Sequence, residues 1–525
     1  MTPWLTILGI VPLVGALLIG VLPRGRDILV KQVALATTLV VLVLTIAMCL
    51  QFDKAGPRFQ FVQSYQWIPA FGVRYSVGAD GIALVLVALV AVLVPVVLLA
   101  SWDDVEGAEV LAGQDAPVTG RRSIKAFFAL MLVLETLMIG VFAATDVFLF
   151  YVFFESMLIP MYFLIGSYGG PKRSYAAVKF LLFSLFGGLL MLAAVIGLYV
   201  VSASQGAGTF SFEQLTQLDI SHPVQIALFL GFFIAFAIKA PLFPFHTWLP
   251  DAGAEAPVGS AVLLVGILDK VGTFGFLRYC LPLFPYASRV LAPYVITLSV
   301  IGVLYGALLA MGQKDLKRLV SYTSVAHFGF IGMGCFAFTT QAGTGAVLYM
   351  VNHGLSTGAL FMVIGFLIVR GRSRIMGDYS GIAKVAPTLA ALFFVSGLSA
   401  LALPGLSTFV SEFLVLLGTF VRYKVAAVFA TTGIVLAALY ILIAYQRTMQ
   451  GVLSVAHERM KDLRFREVAA VAPLIGLMLV LGFYPKPLTD VINPAVGFTM
   501  KDVGAHDPAP TRADAHAAPV AEQSR

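Results

Sequence analysis

Charge is what this sequence has least of. Asp, Glu, Lys and Arg together supply 12% of its 525 residues, roughly half the share found in soluble domains. So few charges cannot cover a water-facing surface, which excludes the several soluble domains that length alone would suggest. Cysteine is scarce as well: Cys49, Cys280 and Cys335 stand far apart inside apolar runs. They form neither a CxxC pair nor a disulfide framework, so a metal site or iron–sulfur cluster on this chain is not indicated. No GxGxxG loop follows a strand pattern, and the chain therefore lacks the usual dinucleotide cradle. The net charge of +7 does not point to nucleic acid, because no segment interleaves basic and aromatic residues as a nucleic-acid groove does.

What the sequence has is apolar length. Hydrophobic residues make up 59% of it, in runs of about 17–25, long enough to cross a bilayer as helices. Such runs are expected near 4–22, 30–50, 80–100, 125–143, 146–165, 175–201, 224–240, 257–279, 289–311, 318–337, 343–369, 387–420, 425–446 and 467–484. The expectation is therefore an all-α, polytopic membrane protein of about 14 transmembrane helices. The first run lacks a basic leader and a small-residue cleavage site, and is read as a span rather than a signal peptide. Ala143-Ala144-Thr145-Asp146 divides the nearly continuous stretch 125–165, and Leu403-Pro404-Gly405 interrupts 387–420. Basic residues gather in alternate loops: Arg24, Arg26 and Lys31; Arg121, Arg122 and Lys125; Lys172 and Arg173; Lys314, Lys317 and Arg318; Arg370, Arg372, Arg374 and Lys384; Arg447 to Arg466. By the positive-inside rule those loops are cytoplasmic and both termini lie outside. The stretch 486–525 is polar, rich in Ala, Pro, Asp and His towards its end, and is expected to be disordered.

Against this background the ionisable residues inside the spans stand out. Each costs about 2.5–3.5 kcal/mol at the bilayer centre, so it is retained only if paired, hydrated or useful. They are Glu135, Glu155, Lys179, Lys239, Asp269, Lys270, His327, His353 and Glu412. Glu155 lies mid-span among phenylalanines, where a functional carboxylate is expected ahead of the plainer alternative, a protonated acid bonded to a neighbouring helix. Lys239 is followed by Pro241 and Pro244, which break a helix inside the membrane. Freed backbone groups there are tolerated only beside protein or a water-filled cavity. Glu412 follows the second break at Pro404-Gly405. One interruption in each half, each with an ionisable residue, is the pattern of inverted repeats with a transport site between them. Lys270 has Asp269 beside it, about 100° away around the helix, so the two need not pair. His327 and His353 suit a proton relay, with a satisfied core histidine as the serious alternative. Glu135 is open in the same way, Lys179 is close enough to a loop to snorkel, and Asp80 and Asp146 sit where helix caps are expected. Burial and opposite charge move a lysine or glutamate pKa in opposite directions. A Glu–Lys pair that opens and closes can therefore bind and release a proton.

Several motifs appear in order: Tyr75-Ser76-Val77-Gly78-Ala79-Asp80-Gly81-Ile82, Phe154-Glu155-Ser156-Met157-Leu158-Ile159-Pro160-Met161-Tyr162, Lys239-Ala240-Pro241-Leu242-Phe243-Pro244-Phe245-His246-Thr247-Trp248-Leu249-Pro250-Asp251-Ala252, Glu255-Ala256-Pro257 and Leu403-Pro404-Gly405. Together they resemble the antiporter-like subunits of respiratory complex I, from the first span to about residue 485. The resemblance implies two inverted five-helix repeats with discontinuous helices. It places spans 1–3 in 1–124, the first repeat (spans 4–8) in 125–279, the second (spans 9–13) in 289–449, span 14 in 464–485 and a tail in 486–525.

The same resemblance implies proton translocation, with Glu155 and Lys239 as a coupled pair and Lys270 as a connecting lysine. His327 and His353 would form a central axis, and Glu412 would face the outer half-channel. Glutamate at 412 is the choice of chain M, where the L and N relatives and multisubunit sodium/proton antiporters carry lysine. Implied partners are the other membrane-arm subunits, especially the L and N types, with NADH, FMN, iron–sulfur clusters and quinone on other subunits and no cofactor here. Two departures matter: Gly253 stands where histidine is common, and Asp269 stands where an apolar residue is usual, which leaves the charge of Lys270 open. A cation/proton antiporter subunit, a membrane-bound hydrogenase subunit and a non-transporting scaffold are the rival readings.

Overall fold

The computed structural model describes residues 2–23, 25–103 and 123–507. The basic residues Arg24, Arg121 and Arg122 and the end of the tail from 508 lie outside the described residues. Thirteen helices among those described are long and apolar enough to cross a membrane. They are α1 (Trp4–Val21), α2 (Asp27–Leu50), α3 (Gly81–Asp103), α4 (Ile124–Ala143), α5 (Val147–Tyr168), α6 (Arg173–Gln205) and α7 (His222–Lys239). After the short α8 (Leu249–Glu255) come α9 (Val258–Leu283), α10 (Pro285–Met311), α11 (Leu316–Phe336) and α12 (Thr340–Gly371). The expected crossing over 387–420 is split into α13 (Pro387–Ala400) and α14 (Ser407–Arg422), and α15 (Lys424–Met449) and α16 (Phe465–Phe483) follow.

Polar side chains set several of these boundaries. Asp80 accepts from Ala83 N, Asp146 from Phe148 N and Leu149 N, and Asp315 from Lys317 N and Arg318 N. Each cap stabilises its helix start by about 0.5–2 kcal/mol. The α9, α11 and α12 helices are buried almost all round, whereas α1, α2, α6, α10 and α15 leave an apolar face uncovered. All-round apolar helices belong at a bundle's centre, and one-sided ones at a lipid or subunit boundary.

Both expected breaks are present. After Lys239 the chain passes through Pro241 and a cis Phe243–Pro244 bond before α8. The Ile238 carbonyl freed by this turn accepts from Trp248 Nε1 at 2.9 Å, and Leu242 N–H reaches Ala237 O at 2.9 Å. Between α13 and α14, Gly405 takes φ +93°, a backbone shape that glycine adopts without strain. Asn352 Nδ2 on α12 donates to Ser407 O at 2.7 Å and holds the start of α14.

Two segments differ from the sequence expectation. Lys486–Asp502, placed in the polar tail, is a helix, α17. Its buried Ile492, Ala495, Val496, Thr499 and Met500 recur at i, i+3, i+4, i+7 and i+8, an amphipathic stripe diluted by the polar residues between them. It packs on α3 and α12, with Thr344 Oγ1 donating to Asn493 Oδ1 at 2.6 Å. Residues 60–79 form an antiparallel hairpin, β1 (Gln60–Ile68) and β2 (Val73–Ala79), which leads into α3. No strand was expected in this linker.

Candidate functional site

The buried ionisable groups converge on the middle of the bundle, where α9, α11, α12 and α14 meet. Lys270, halfway along α9, is fully buried, and its Nζ lies 2.6 Å from His353 Nδ1 on α12. Its ammonium also donates to the Val265 carbonyl. Leu264–Leu268 is a wider turn, in which Asp269 N–H reaches back five residues to Leu264 O at 3.1 Å. Such single turns inside α-helices are frequent at functional sites. The Lys270–His353 contact exists in two forms that differ only in a proton's place. Either an ammonium donates to an unprotonated Nδ1, or Nδ1–H donates to a neutral amine.

From His353 the row continues through aromatic and hydroxyl groups. The His327 ring on α11 stands edge-on to His353 with centroids 5.2 Å apart, and 5.8 Å from Tyr349. Tyr349 OH donates to Glu412 Oε2 at 2.8 Å. Lys270, His353, His327, Tyr349 and Glu412 thus form one chain of neighbours from α9 to α14. Nε2 of His353 lacks a protein hydrogen-bond partner, and the Ala400 backbone lies beside the His327 ring.

At the other end, Lys239 is buried at the C-terminus of α7, and its Nζ has no hydrogen-bond partner. It lies 5.0 Å from the Phe154 ring and 5.7 Å from Phe180, contacts worth about 0.5–2 kcal/mol for a desolvated cation. The helix end adds favourable negative dipole. Glu155 stands half-buried on the flank of α5. Gly188 on α6 makes room for it, since a Cβ there would collide with Glu155 Oε1. Glu155 and Lys239 influence each other electrostatically but form no ion pair within 4 Å. Asp269 sits within electrostatic reach of both Lys239 and Lys270, with neither oxygen hydrogen-bonded. Among the described residues Asp269 is the one carboxyl that both lysines influence, and the Lys270 hydrogen bonds go to Val265 and His353 instead.

Two candidates stand apart. Glu135 on α4 is buried with both oxygens unbonded and is joined to the row by no hydrogen bond or ion pair. Lys179 is tied at the basic-loop face to Asp251 Oδ2 at 2.7 Å, while Arg318 reaches Asp251 Oδ1 at 2.6 Å. Burial pushes the Asp251 carboxyl up, but the bonds and charges of Lys179 and Arg318 outweigh it and hold the group below its ordinary value. Lys179 thus shares the one Asp251 carboxylate with Arg318.

Sequence reasoning missed Tyr349, although it lies four residues before His353 on the same helix face. It also missed Asn352 and Trp248, which satisfy the two breaks, and Arg278. Arg278 is buried near the end of α9 and paired with Asp80 Oδ1 at 2.7 Å, against the rings of Phe59 and Phe274. Among the described residues no group of three or more His, Cys, Asp or Glu side chains could hold a metal ion.

Comparison with known proteins gives consistent likenesses. The family described as "NADH:quinone oxidoreductase/Mrp antiporter, TM" matches residues 144–446. NADH-quinone oxidoreductase subunit M of Mycobacterium tuberculosis is 51% identical over 100% of this chain and 98% of its own. NADH-ubiquinone oxidoreductase chain 4 of Arabidopsis thaliana is 36% identical over 92% of this chain and 94% of its own. A chain of respiratory complex I from Thermus thermophilus with bound NADH superposes with a TM-score of 0.84 at 32% identity, covering 95% of this chain and all of that one. A chain of the Mrp complex from Dietzia sp. DQ12-45-1b shares the fold at a TM-score of 0.80 and 22% identity, over 96% of this chain and all of that one.

Proposed function

Because this chain belongs to the NADH:quinone oxidoreductase/Mrp antiporter transmembrane family, we propose that its buried row is the proton path of an antiporter-like subunit. The protein is a multi-pass membrane subunit of proton-translocating NADH:quinone oxidoreductase, complex I, of the M type.

The observation that supports the path is the row of neighbours Lys270–His353–His327–Tyr349–Glu412 across four helices, hydrogen-bonded at its two ends and ring beside ring between them. In this reading Glu155 and Lys239 are the switch. When Glu155 closes on Lys239, the paired lysine holds its proton; when the pair opens, as in this structure, Lys239 can release it past Asp269 to Lys270. The proton then moves through the imidazoles, which accept on one nitrogen and donate from the other. Glu412 passes it towards the end of α14. Asp269 sets the balance between the two lysines, and Glu135 and Lys179 support the switch region rather than carry the proton.

The reading places 125–279 and 289–449 as two inverted repeats, each with one of the breaks that flank the row. It puts the basic loops on the cytoplasmic side of a bacterial inner membrane, with both termini outside. NADH, FMN, iron–sulfur clusters and quinone belong to other subunits, and the L- and N-type subunits are the expected membrane-arm neighbours.

The test is NADH-driven proton pumping by the assembled complex carrying Glu155→Ala or Lys239→Ala. Both variants are expected to lose the pumping contributed by this chain, and normal pumping in both would sink the switch. Tyr349→Phe removes only the hydroxyl that donates to Glu412. A buried hydrogen bond of this kind contributes about 1–3 kcal/mol, so pumping through this chain is expected to fall about tenfold. The infrared carboxyl band of Glu412 should shift with the loss of its donor.

A further inference from the structure

On the basic-loop face, where α5 and α12 end and α6, α9 and α11 begin, lies a cavity of about 340 Å³. Its wall has two characters. Glu255, Lys317, Arg372 and Arg374 line one part, and Tyr168, Val258, Ile368, Val369 and Ile375 line the other.

The charges are not balanced within it. Glu255 is already engaged: Oε1 accepts from Arg374 Nη1 at 3.0 Å, and Oε2 from Lys172 N at 2.9 Å. Arg374 also faces Asp315 at 3.3 Å. Arg372 stands exposed, with no carboxylate within ion-pair distance among the described residues. Its backbone is left-handed, φ +54°, at the point where α12 stops, and this fixes where its side chain leaves the helix.

The apolar part also extends. Tyr168 lines a second cavity of about 410 Å³, a groove between α4 and α5 bounded by Ala129, Leu130, Val133 and Phe163. This groove runs from the loop level towards the middle of two membrane-crossing helices. A cationic recess at the helix ends beside an apolar groove along the spans, with Tyr168 in the wall of both, fits a molecule with an anionic head and a hydrocarbon chain. Tyrosine is enriched at that boundary because its ring is apolar and its hydroxyl polar. Basic pockets between helix ends on the positive-loop side are suited to anionic head groups.

We propose that the two cavities form a binding site for one anionic phospholipid, its phosphate at Arg372 and one acyl chain in the α4–α5 groove. The bound lipid would bridge 169–171, 254–258 and 372–375, so it joins segments on both sides of the central row.

The test uses the assembled complex in nanodiscs with phosphatidylglycerol or phosphatidylcholine carrying a photoactivatable acyl chain, with adducts mapped by mass spectrometry. Phosphatidylglycerol is expected to label the peptides containing Leu130 and Phe163 about fivefold more than phosphatidylcholine, the effect of one basic charge on an anionic head group. Arg372→Asn keeps a residue that tolerates the left-handed backbone, and it should reduce phosphatidylglycerol labelling to the phosphatidylcholine level. Leu130→Trp fills the groove and should lower labelling by both lipids. Equal labelling by the two lipids in the unmodified complex, or unchanged phosphatidylglycerol labelling in both variants, overturns the site. So does recovery of a neighbouring subunit's peptide cross-linked into the groove.

Discussion

Lys270→Met is expected to stop proton transfer along this chain while the complex still assembles. The methionine side chain is close to the lysine stem in length and bends to fill the same space. Removing a fully buried ammonium relieves its desolvation cost, so folding should be little affected or improved. Function is a different matter, because Lys270 is the group placed between Asp269 and His353 Nδ1. A positioned proton donor or acceptor typically contributes about 10²–10⁴-fold to a proton-transfer step. Pumping through this chain should therefore fall by at least about a hundredfold. The companion variant is Lys270→Arg. Arginine preserves the positive charge beside Asp269 but does not give up its proton in a protein. If Lys270 served only as a fixed charge, arginine would restore function; if it carries the proton, arginine fails as methionine does. The measurement is NADH-driven acidification in proteoliposomes, with assembly checked separately by native electrophoresis. Near-normal pumping by an assembled arginine variant would falsify the carrier role.

What could be read in the sequence follows from energetic cost. A chain with so little charge has lipid for a solvent, and each buried charge in it demands a reason, so Lys239, Lys270 and Glu412 stood out singly. Prolines and glycine at 241, 244, 404 and 405 marked both breaks, because their backbone constraints act locally. Pairing was not readable, since partners come from distant segments. Lys179 and Asp251 are 72 residues apart, and Lys270 and His353 are 83. The wide turn at Leu264–Leu268 leaves no signature in composition, yet it lets the Val265 carbonyl meet Lys270. Tyr349 was overlooked for another reason. A tyrosine is inexpensive to bury, so a search guided by cost passes over it, although its spacing from His353 places it on the same face. The α17 stripe was hidden by averaging over polar neighbours, and Arg278 by lying near the expected end of a span.

That arginine supports the second large expected effect. Asp80→Ala should destabilise the protein by about 3–5 kcal/mol, the usual result of removing one partner from a buried ion pair. Asp80 has two tasks. It caps α3 through Ala83 N at 2.9 Å, and it lies 2.7 Å from Arg278 Nη2, with side-chain exposures of 3% and 2%. Loss of the cap alone accounts for about 0.5–2 kcal/mol, so most of the effect comes from a guanidinium left buried among Phe59, Phe212 and Phe274. Those rings attract the cation by about 0.5–2 kcal/mol each, too little to offset its desolvation. The two tasks can be separated. Asp80→Asn retains an oxygen for the Ala83 N–H but removes the charge, and it should be nearly as damaging as alanine. Arg278→Met leaves Asp80 as a cap with an uncompensated charge, and should be damaging too. Combining Asp80→Asn with Arg278→Met removes both charges while keeping the cap and an apolar filler. The pair should therefore recover much of what each single change loses, because replacing both members of a buried ion pair is often nearly neutral. Thermal unfolding of the purified complex, followed at the level of this subunit, measures all four variants. Additive losses in the double variant would show that Asp80 and Arg278 stabilise the hairpin–α3–α9 junction separately and not as a pair.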